Sequence, residues 1–387
     1  MNRRSFCNIE QVYLQKYLKM FYRRHKHRYV MEDVILKSSN LSFREERKMR
    51  KHMNKMLAVM LAGVMALGLC GCGNSKSGSE AGSEAQSTQA AQAQASGDKV
   101  YKIGICQLVQ HKALDAATKG FKEALVDELG KDNVKFDEQN AAGDSAMCTT
   151  ITNQFVSDGD DLILANATAS LQAAAAATDT IPILGTAVTD YATALDLSDW
   201  TGTTGRNISG TSDLAPLDQQ ADLLHEMFPD AKNVGILYCS AEPNSVYQAK
   251  KIEGYLDKYG YKCTEYSFSD SNDVASVTTS ACSGSDVLYI PTDNTAASCT
   301  EIIKNIAVPA KKPIIAGEEG ICSGCGVATL SISYYDLGYE TGKMAAEILT
   351  KGTDVSSMEV QSAPKVTKEY NEEICNELGI KVPDGYT

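Results

Sequence analysis

Histidine is scarce in this chain of 387 residues: there are five. Beyond His52 only His111 and His225 remain, too far apart to form a helical metal pair. A nucleophile elbow and a GxGxxG phosphate turn are missing as well, and with them the common signatures of hydrolytic and dinucleotide-dependent catalysis. The expectation is a protein that is not an enzyme and uses no cofactor or metal. Long apolar runs are also lacking. The run "MLAVMLAGVMALGL", Met56 to Leu69, has 14 residues, against the roughly 20 that a membrane-spanning helix needs. From Gly73 to Asp98 there is no Val, Ile, Leu or aromatic residue at all, so that tract has nothing with which to build a core. Positive charge is unevenly distributed. Of 37 Lys+Arg and 49 Asp+Glu, 15 and 5 fall in residues 1–71, which leaves a net charge of −22 on the rest. So acidic a body argues against a nucleic-acid partner.

What is present begins with an address. Lys48, Arg50, Lys51 and Lys55 precede the 14-residue apolar run, and "LCGC" follows it directly, the layout of a signal peptide. The pattern resembles a bacterial lipobox, with Leu69 three residues before Cys72 and Gly71 immediately before it. Cys70 fits less well because Leu69 occupies the place of the small residue. Residues 49–71 thus read as a lipoprotein signal peptide, Cys72 as the lipidated (palmitate-bearing) residue, and 72–98 as a tether. Its 26 flexible residues span roughly 28 Å by random-coil scaling. The expected location is the outer face of the cytoplasmic membrane. Residues 1–48 then read as a gene-model artefact, with Met49 or Met53 as the start, or else as an N-terminal extension.

From Val100 onward β-rich runs alternate with segments of helical spacing. "VYKIGICQLV", "VKFDEQNA", "DLILANAT" and "IPILGTAV" are followed by a second series, "NVGILYCS", "KCTEYSFSD", "DVLYIP" and "KPIIAGEEG". Near-continuous apolar strands of this kind belong to parallel sheets covered on both faces. The two series are almost in register: Gly104 and Gly235 are 131 apart, Asp161 and Asp286 are 125 apart, Pro182 and Pro313 again 131. The expected fold class is α/β, two doubly wound Rossmann-like lobes with a ligand cleft between them. Residues 99–213 and 331–352 are assigned to lobe 1, and 214–330 and 353–387 to lobe 2.

Four segments carry a resemblance: "IGICQLVQHKALDAATKGF", "LYCSAEPNSVYQAK", "YIPTDNTAAS" and "YYDLGYETGKMAAEIL". From about Tyr101 to Ile380 the chain resembles the ABC-transporter substrate-binding lipoproteins of the tryptophan- and tyrosine-binding family. That resemblance implies a type I periplasmic-binding fold and a hydrophobic or aromatic amino acid as cargo. It also implies a permease and an ATPase as partners of a monomer anchored to the membrane by its lipid.

Ligands of open α/β sheets lie beyond the carboxyl ends of the strands, so candidate contacts can be read there. In the first lobe these are Gln107, His111, Asn166, Thr168, Ser170, Thr186, Thr189, Asp190 and Asp213. In the second they are Ser240, Glu242, Asn244, Ser245, Thr292, Asp293 and Asn294. An amino acid needs donors for its carboxylate, which Thr168, Ser170, Thr186 and Thr189 offer beside helix starts, and an anion for its ammonium. Helix capping competes for every one of them. Tyr334 is either an aromatic wall of the cleft or packing at a hinge. His111 is expected to be a solvated loop residue with access to ligand, and His225 a surface helix residue. In "IIAGEEGI" the resemblance to branched-chain amino-acid binders of the same fold assigns the ammonium to Glu319, with Asp293 or Glu242 as substitutes, and leaves Glu318 as a solvated charge. Nine cysteines follow Cys72; most are expected as reduced core thiols, and the lone "CSGC" is a weak redox or zinc signal. Three readings stand side by side: transport of an amino acid (or of a nucleoside or sugar), ligand sensing by a receptor lipoprotein, and thiol oxidoreduction at "CSGC".

Overall fold

A computed structural model describes residues 99–363 and 365–387, which lie in one compact unit. Cys72 and everything else assigned to residues 1–98 lies outside the described residues. Two six-stranded sheets form the frame. The first has the order β11-β5-β4-β3-β1-β2 and the second β12-β10-β9-β8-β6-β7. In the first sheet these are β1 (Tyr101–Gln107), β2 (Val134–Asn140), β3 (Leu162–Asn166), β4 (Ile183–Val188), β5 (Ile208–Ser212) and β11 (Gln361–Ser362). The second holds β6 (Asn233–Cys239), β7 (Lys262–Phe268), β8 (Val287–Ile290), β9 (Ile314–Ala316), β10 (Ala328–Ile332) and β12 (Val366–Tyr370). All pairings are parallel except β10 with β12.

The apolar runs explain the layering. β3 and β4 are buried along their whole length, because helices cover both faces of the sheet. On one face of the first sheet Ile103, Ile105, Leu162, Leu164 and Leu184 pack with α1 (Lys112–Leu129) and α11 (Tyr334–Lys351). On the other, Cys106, Ile163 and Ala165 meet α2 (Ser145–Asp158) and α3 (Thr168–Ala177). The second sheet is sandwiched likewise between α5 (Leu217–Met227), α6 (Pro243–Leu256) and α12 (Glu372–Leu378) on one side. Its other side carries α7 (Val274–Gly284), α9 (Thr300–Ala307) and α10 (Glu319–Cys325). Short helices α4 (Tyr191–Leu195) and α8 (Asn294–Ser298) follow β4 and β8.

Three crossings connect the lobes: after β5, between β10 and α11, and between β11 and β12. The sequence-based boundaries differ here. Ser331 and Ile332 finish β10 in the second sheet, although 331–352 was assigned to lobe 1. The segment 353–387 is divided, since Gln361 and Ser362 pair with Thr211 and Ser212 of the first sheet. Two residues of edge pairing leave no periodicity to read, so only the tertiary partner reveals them. The second crossing is fixed by close helix packing: a Cβ at Gly338 on α11 would overlap the Ala117 carbonyl on α1, and one at Gly342 would lie 2.6 Å from the Phe121 carbonyl oxygen.

Candidate functional site

Both sets of strand carboxyl ends face the gap between the lobes. A cavity of ≈ 340 Å³ opens there, within the range of small-molecule sites, about 300–1,000 Å³. Leu108, Val109, Ala142 and Ala169 line it from the first lobe, and Cys239, Ala241, Glu242, Asn294 and Thr295 from the second. The apolar part of this wall was not singled out in the sequence, because an Ala or Val beside a strand end looks like any core residue.

Side chains bridge the lobes. His111 Nε2 lies 3.2 Å from Asn294 Oδ1, and Gln248 Nε2 on α6 donates to Thr189 Oγ1 at 3.3 Å. Gln248 is fully buried and also accepts from the Thr292 backbone N–H and donates to the Thr292 carbonyl. It escaped the sequence reading. The available signal was helical spacing: Gln248 stands four residues after Asn244 and three after Ser245, on the same face of α6.

Thr189 passes the chain onward, donating to Asp213 Oδ1 at 2.9 Å, and the Tyr334 hydroxyl donates to Asp213 Oδ2 at 2.8 Å. Burial holds the Asp213 carboxyl above the ordinary Asp range even though both hydroxyls oppose the shift. Tyr334 is therefore neither a bare aromatic wall nor simple packing. Its ring lies in the first core while its hydroxyl holds the acid.

On the second lobe the acids have different duties. Glu242 accepts from the backbone N–H groups of Asn294 and Thr295, the Thr295 hydroxyl, and the amides of Asn294 and Asn244. Five donors make it the cradle of the α8 N-terminus. Asn244 and Ser245 both donate to the Thr292 carbonyl. Asp293 caps the same helix through Ala296 N and reaches back to Cys239 N at 2.6 Å; burial and the charge of Glu242 push its carboxyl up. Glu318, expected to be solvated, is 1% exposed. It caps α10 by accepting from Gly320 N and Ile321 N, and burial, reinforced by Glu319 and Asp213, raises it to about 7. Glu319, first residue of α10, is only half-buried and faces Glu369, Lys112 and Asp336. The difference arises because the residue before the first helical turn points back at the free N–H groups, a geometry fixed only once the helix start is known.

Several other expected contacts are turned away from the cleft. Gln107 donates to Val109 O and Asp115, and accepts from Thr118. Ser170 is hydrogen-bonded to the thiols of Cys106 and Cys148 within the core. Thr186 joins Thr211 and Thr341 in a hydroxyl chain under α11. Asp190 caps α4 through Thr193 N, and Ser240 is exposed and bonded to Phe268 O. His225 is half-buried rather than superficial, stacked on Tyr259 at 4.1 Å and bonded to Tyr261. His111 is half-buried rather than solvated throughout, with Nδ1 shielded from water, and burial lowers its pKa. The thiols of "CSGC" are 2% and 1% exposed and held far above the ordinary range by burial, which makes them inert and removes the basis for thiol chemistry.

What remains at the gap is unsatisfied. His111 Nδ1, Asn166 Oδ1 and Thr292 Oγ1 are buried without a partner among the described residues; Asn166 ends β3, while His111 and Thr292 lie in the segments that follow β1 and β8. Buried polar atoms of this kind are rare, and each calls for a partner. Asn166 uses its amide nitrogen on Leu114 O and Thr118, so the orphaned oxygen is free for a donor. The N-terminus of α3 has no side-chain cap, since Ala167 occupies that position with φ 91°. Thr168 therefore opens α3 rather than capping it, with free N–H groups beside it.

The sequence profile described as ABC transporter substrate binding protein matches residues 102–386. A "Tyrosine-binding protein" of Clostridioides difficile (strain R20291) is 39% identical over 333 residues, 85% of this chain and 92% of that protein. Among solved structures, an ABC domain from Streptococcus pneumoniae in complex with L-Trp is 34% identical and superposes with a TM-score of 0.71. The match covers 74% of this chain and 97% of the other. A ligand-free, open substrate-binding protein with adhesive properties from Clostridium difficile is closer in sequence, at 42%, with the same coverage, yet its TM-score is 0.58. The lobes described here, bridged by Gln248 and His111, superpose better on the streptococcal complex than on that open structure.

Proposed function

The chain belongs to the ABC transporter substrate-binding protein family, and on that premise we propose that it captures an aromatic amino acid between its lobes and delivers it to the permease and ATPase of an importer. One observation carries the reading: a cavity lined by both lobes, accompanied by polar atoms orphaned at strand carboxyl ends and by buried acids with no ion pair among the described residues. A zwitterion would satisfy both sets. Its carboxylate fits the uncapped start of α3 near Thr168, its ammonium the acids, and its ring the small apolar residues Leu108, Val109, Ala169 and Ala241. Burying a ring of about 200 Å² contributes roughly 5 kcal/mol, so the apolar wall matters as much as the anchors. The L-Trp in the streptococcal structure and the name of the clostridial relative support this choice of cargo.

Calorimetry against the twenty amino acids, nucleosides and sugars tests it. Heat is expected with tryptophan or tyrosine; binding confined to a sugar or nucleoside would overturn the cargo. The anchor at Cys72 belongs to the same proposal, on the lipobox resemblance. Cys72→Ser should shift the protein out of the membrane fraction while Cys70→Ser should not, and equal partitioning of both would remove the anchor.

A further inference from the structure

Cys106 on β1, Cys148 in the first turn of α2 and Ser170 near the start of α3 meet inside the first lobe, all three at 0% exposure. Each sulfur lies 3.6 Å from the Ser170 hydroxyl oxygen. Two thiols 42 positions apart in the sequence thus share one hydroxyl, and each also acts on the ionisation of the other. The trio stands behind the wall of the inter-lobe cavity. Leu108 follows Cys106 by two residues, Asp144 and Ser145 begin α2, and Ala169 adjoins Ser170; all four line that cavity.

The hydrogen bonds distinguish the two sulfurs. Cys106 donates to the Ser170 oxygen, so the single proton of that hydroxyl is free to point at Cys148. An anion on Cys148 therefore has donors close by. The Cys106 thiol first, and then the Ser170 hydroxyl, hold Cys148 below the ordinary thiol range against burial and the charge of Asp144. The start of α2 acts in the same sense through its dipole. Cys106 keeps its proton, because the bond to Cys148 and burial raise it. Cys239, Cys263, Cys282, Cys322, Cys325 and Cys375 are all pushed up by burial as well. A thiolate with a second thiol in reach is the layout of a redox pair: the first reacts with the oxidant and the second resolves the product.

Resting on the amino-acid cargo proposed above only for its effect on binding, we propose that hydrogen peroxide oxidises Cys106 and Cys148 to a disulfide behind the cavity wall, and that this disulfide lowers affinity for the cargo. The Cys148 thiolate attacks one peroxide oxygen. An S–O bond forms, the O–O bond breaks, and the departing hydroxide takes up the proton that Cys148 gave up, leaving as water. The Cys106 sulfur then attacks that of Cys148: the S–S bond forms, the S–O bond breaks, and the Cys106 proton leaves with the hydroxyl as a second water. The two thiols lose two electrons and the peroxide gains them. Full burial excludes a bulky disulfide as oxidant and admits one little larger than water, through local opening. The new bond, about 2 Å long, is far shorter than any non-bonded contact between sulfurs. It draws the first turn of α2 toward β1, and with it Asp144 and Ser145 of the cavity wall.

The test treats the full chain, reduced and in detergent, with one equivalent of hydrogen peroxide, blocks the remaining thiols, and maps disulfides by digestion and mass spectrometry. A link between Cys106 and Cys148 should form at least about tenfold faster than oxidation of any of the six raised thiols, and dithiothreitol should remove it. Cys106→Ser should instead leave a sulfenic acid on Cys148 that dimedone traps. Ser170→Ala, which lacks one donor, should react more slowly than wild type. No link between Cys106 and Cys148, or earlier oxidation of Cys322 and Cys325, would overturn the pair; both are read on the wild-type chain, whether or not the variants fold. Calorimetry with L-tryptophan and L-tyrosine then compares the two redox states. Oxidation should weaken Kd about tenfold, and by reciprocity saturating ligand should raise the midpoint potential of the disulfide by about 30 mV. Equal Kd in both states would overturn the effect on capture. Absence of binding by the reduced protein would overturn the cargo and leave the disulfide to stand on the mapping.

Discussion

The two lobes share one topology and use their strand ends in opposite ways. In the first, polar side chains near the cleft mostly turn inward. Gln107 and Asn166 bind Thr118 on α1, Ser170 binds two thiols, and Thr186 reaches α11 through Thr211 and Thr341. In the second, the same type of position supplies caps: Glu242 and Asp293 on α8, Glu318 on α10. The first lobe has two long helices in glycine-mediated contact, and polar residues beneath them fix how β1, β3 and β4 meet that pair. The second lobe has two very short helices at its cleft, which propensity alone does not hold; carboxylates at their N-termini do. Duplicating a fold therefore does not duplicate its chemistry. Glu242, Asp293 and Glu318 are buried on the second lobe, against Asp160 and Asp213 on the first.

The largest effect should come from the cap network. Glu242→Ala leaves the buried N–H groups of Asn294 and Thr295 without an acceptor, so stability should fall by about 3 kcal/mol, read as a lower melting temperature. A loss under about 1 kcal/mol would mean that α8 does not depend on this carboxylate. Next is the bridge between the lobes. Gln248→Ala removes the donor to Thr189 and should weaken amino-acid affinity by about 1–3 kcal/mol while changing stability less. An unchanged Kd would make Gln248 a residue of the second lobe alone. Smallest should be Ser170→Ala, which touches only the first core. Affinity should change by less than about 0.5 kcal/mol, and a larger loss in calorimetry would return Ser170 to the site.

Much of the frame was legible because its signals are local. Continuous apolar strands, helical spacing and the 131-residue offset between Gly104 and Gly235 specify two parallel sheets without reference to any contact. The site was legible by region more than by residue. Asn294 lines the inter-lobe cavity and Thr189 meets Gln248 across the lobes, while Gln107, Ser170 and Thr186 bond within the first lobe and to α11. A strand end or loop fixes where the backbone arrives; which neighbour a hydroxyl or amide then finds depends on helices distant in sequence, such as α11 for Thr186. The exchange of roles between Glu318 and Glu319 has the same origin, since a one-residue choice of helix start decides which carboxylate is buried.

By itself, then, the sequence determined the α/β alternation, the duplication, the acidic balance of the body and the strand ends where polar groups gather. These follow from hydrophobic period and residue type, which act over a few neighbours. Only the tertiary structure decided that β11 and β12 go to different sheets, that Gln248 reaches across to Thr189, and that Asp213 and Glu318 are buried without an ion pair among the described residues. The strand and side-chain pairings among these join residues 34 to 150 positions apart, and no local pattern records a contact whose partner is brought in by the fold.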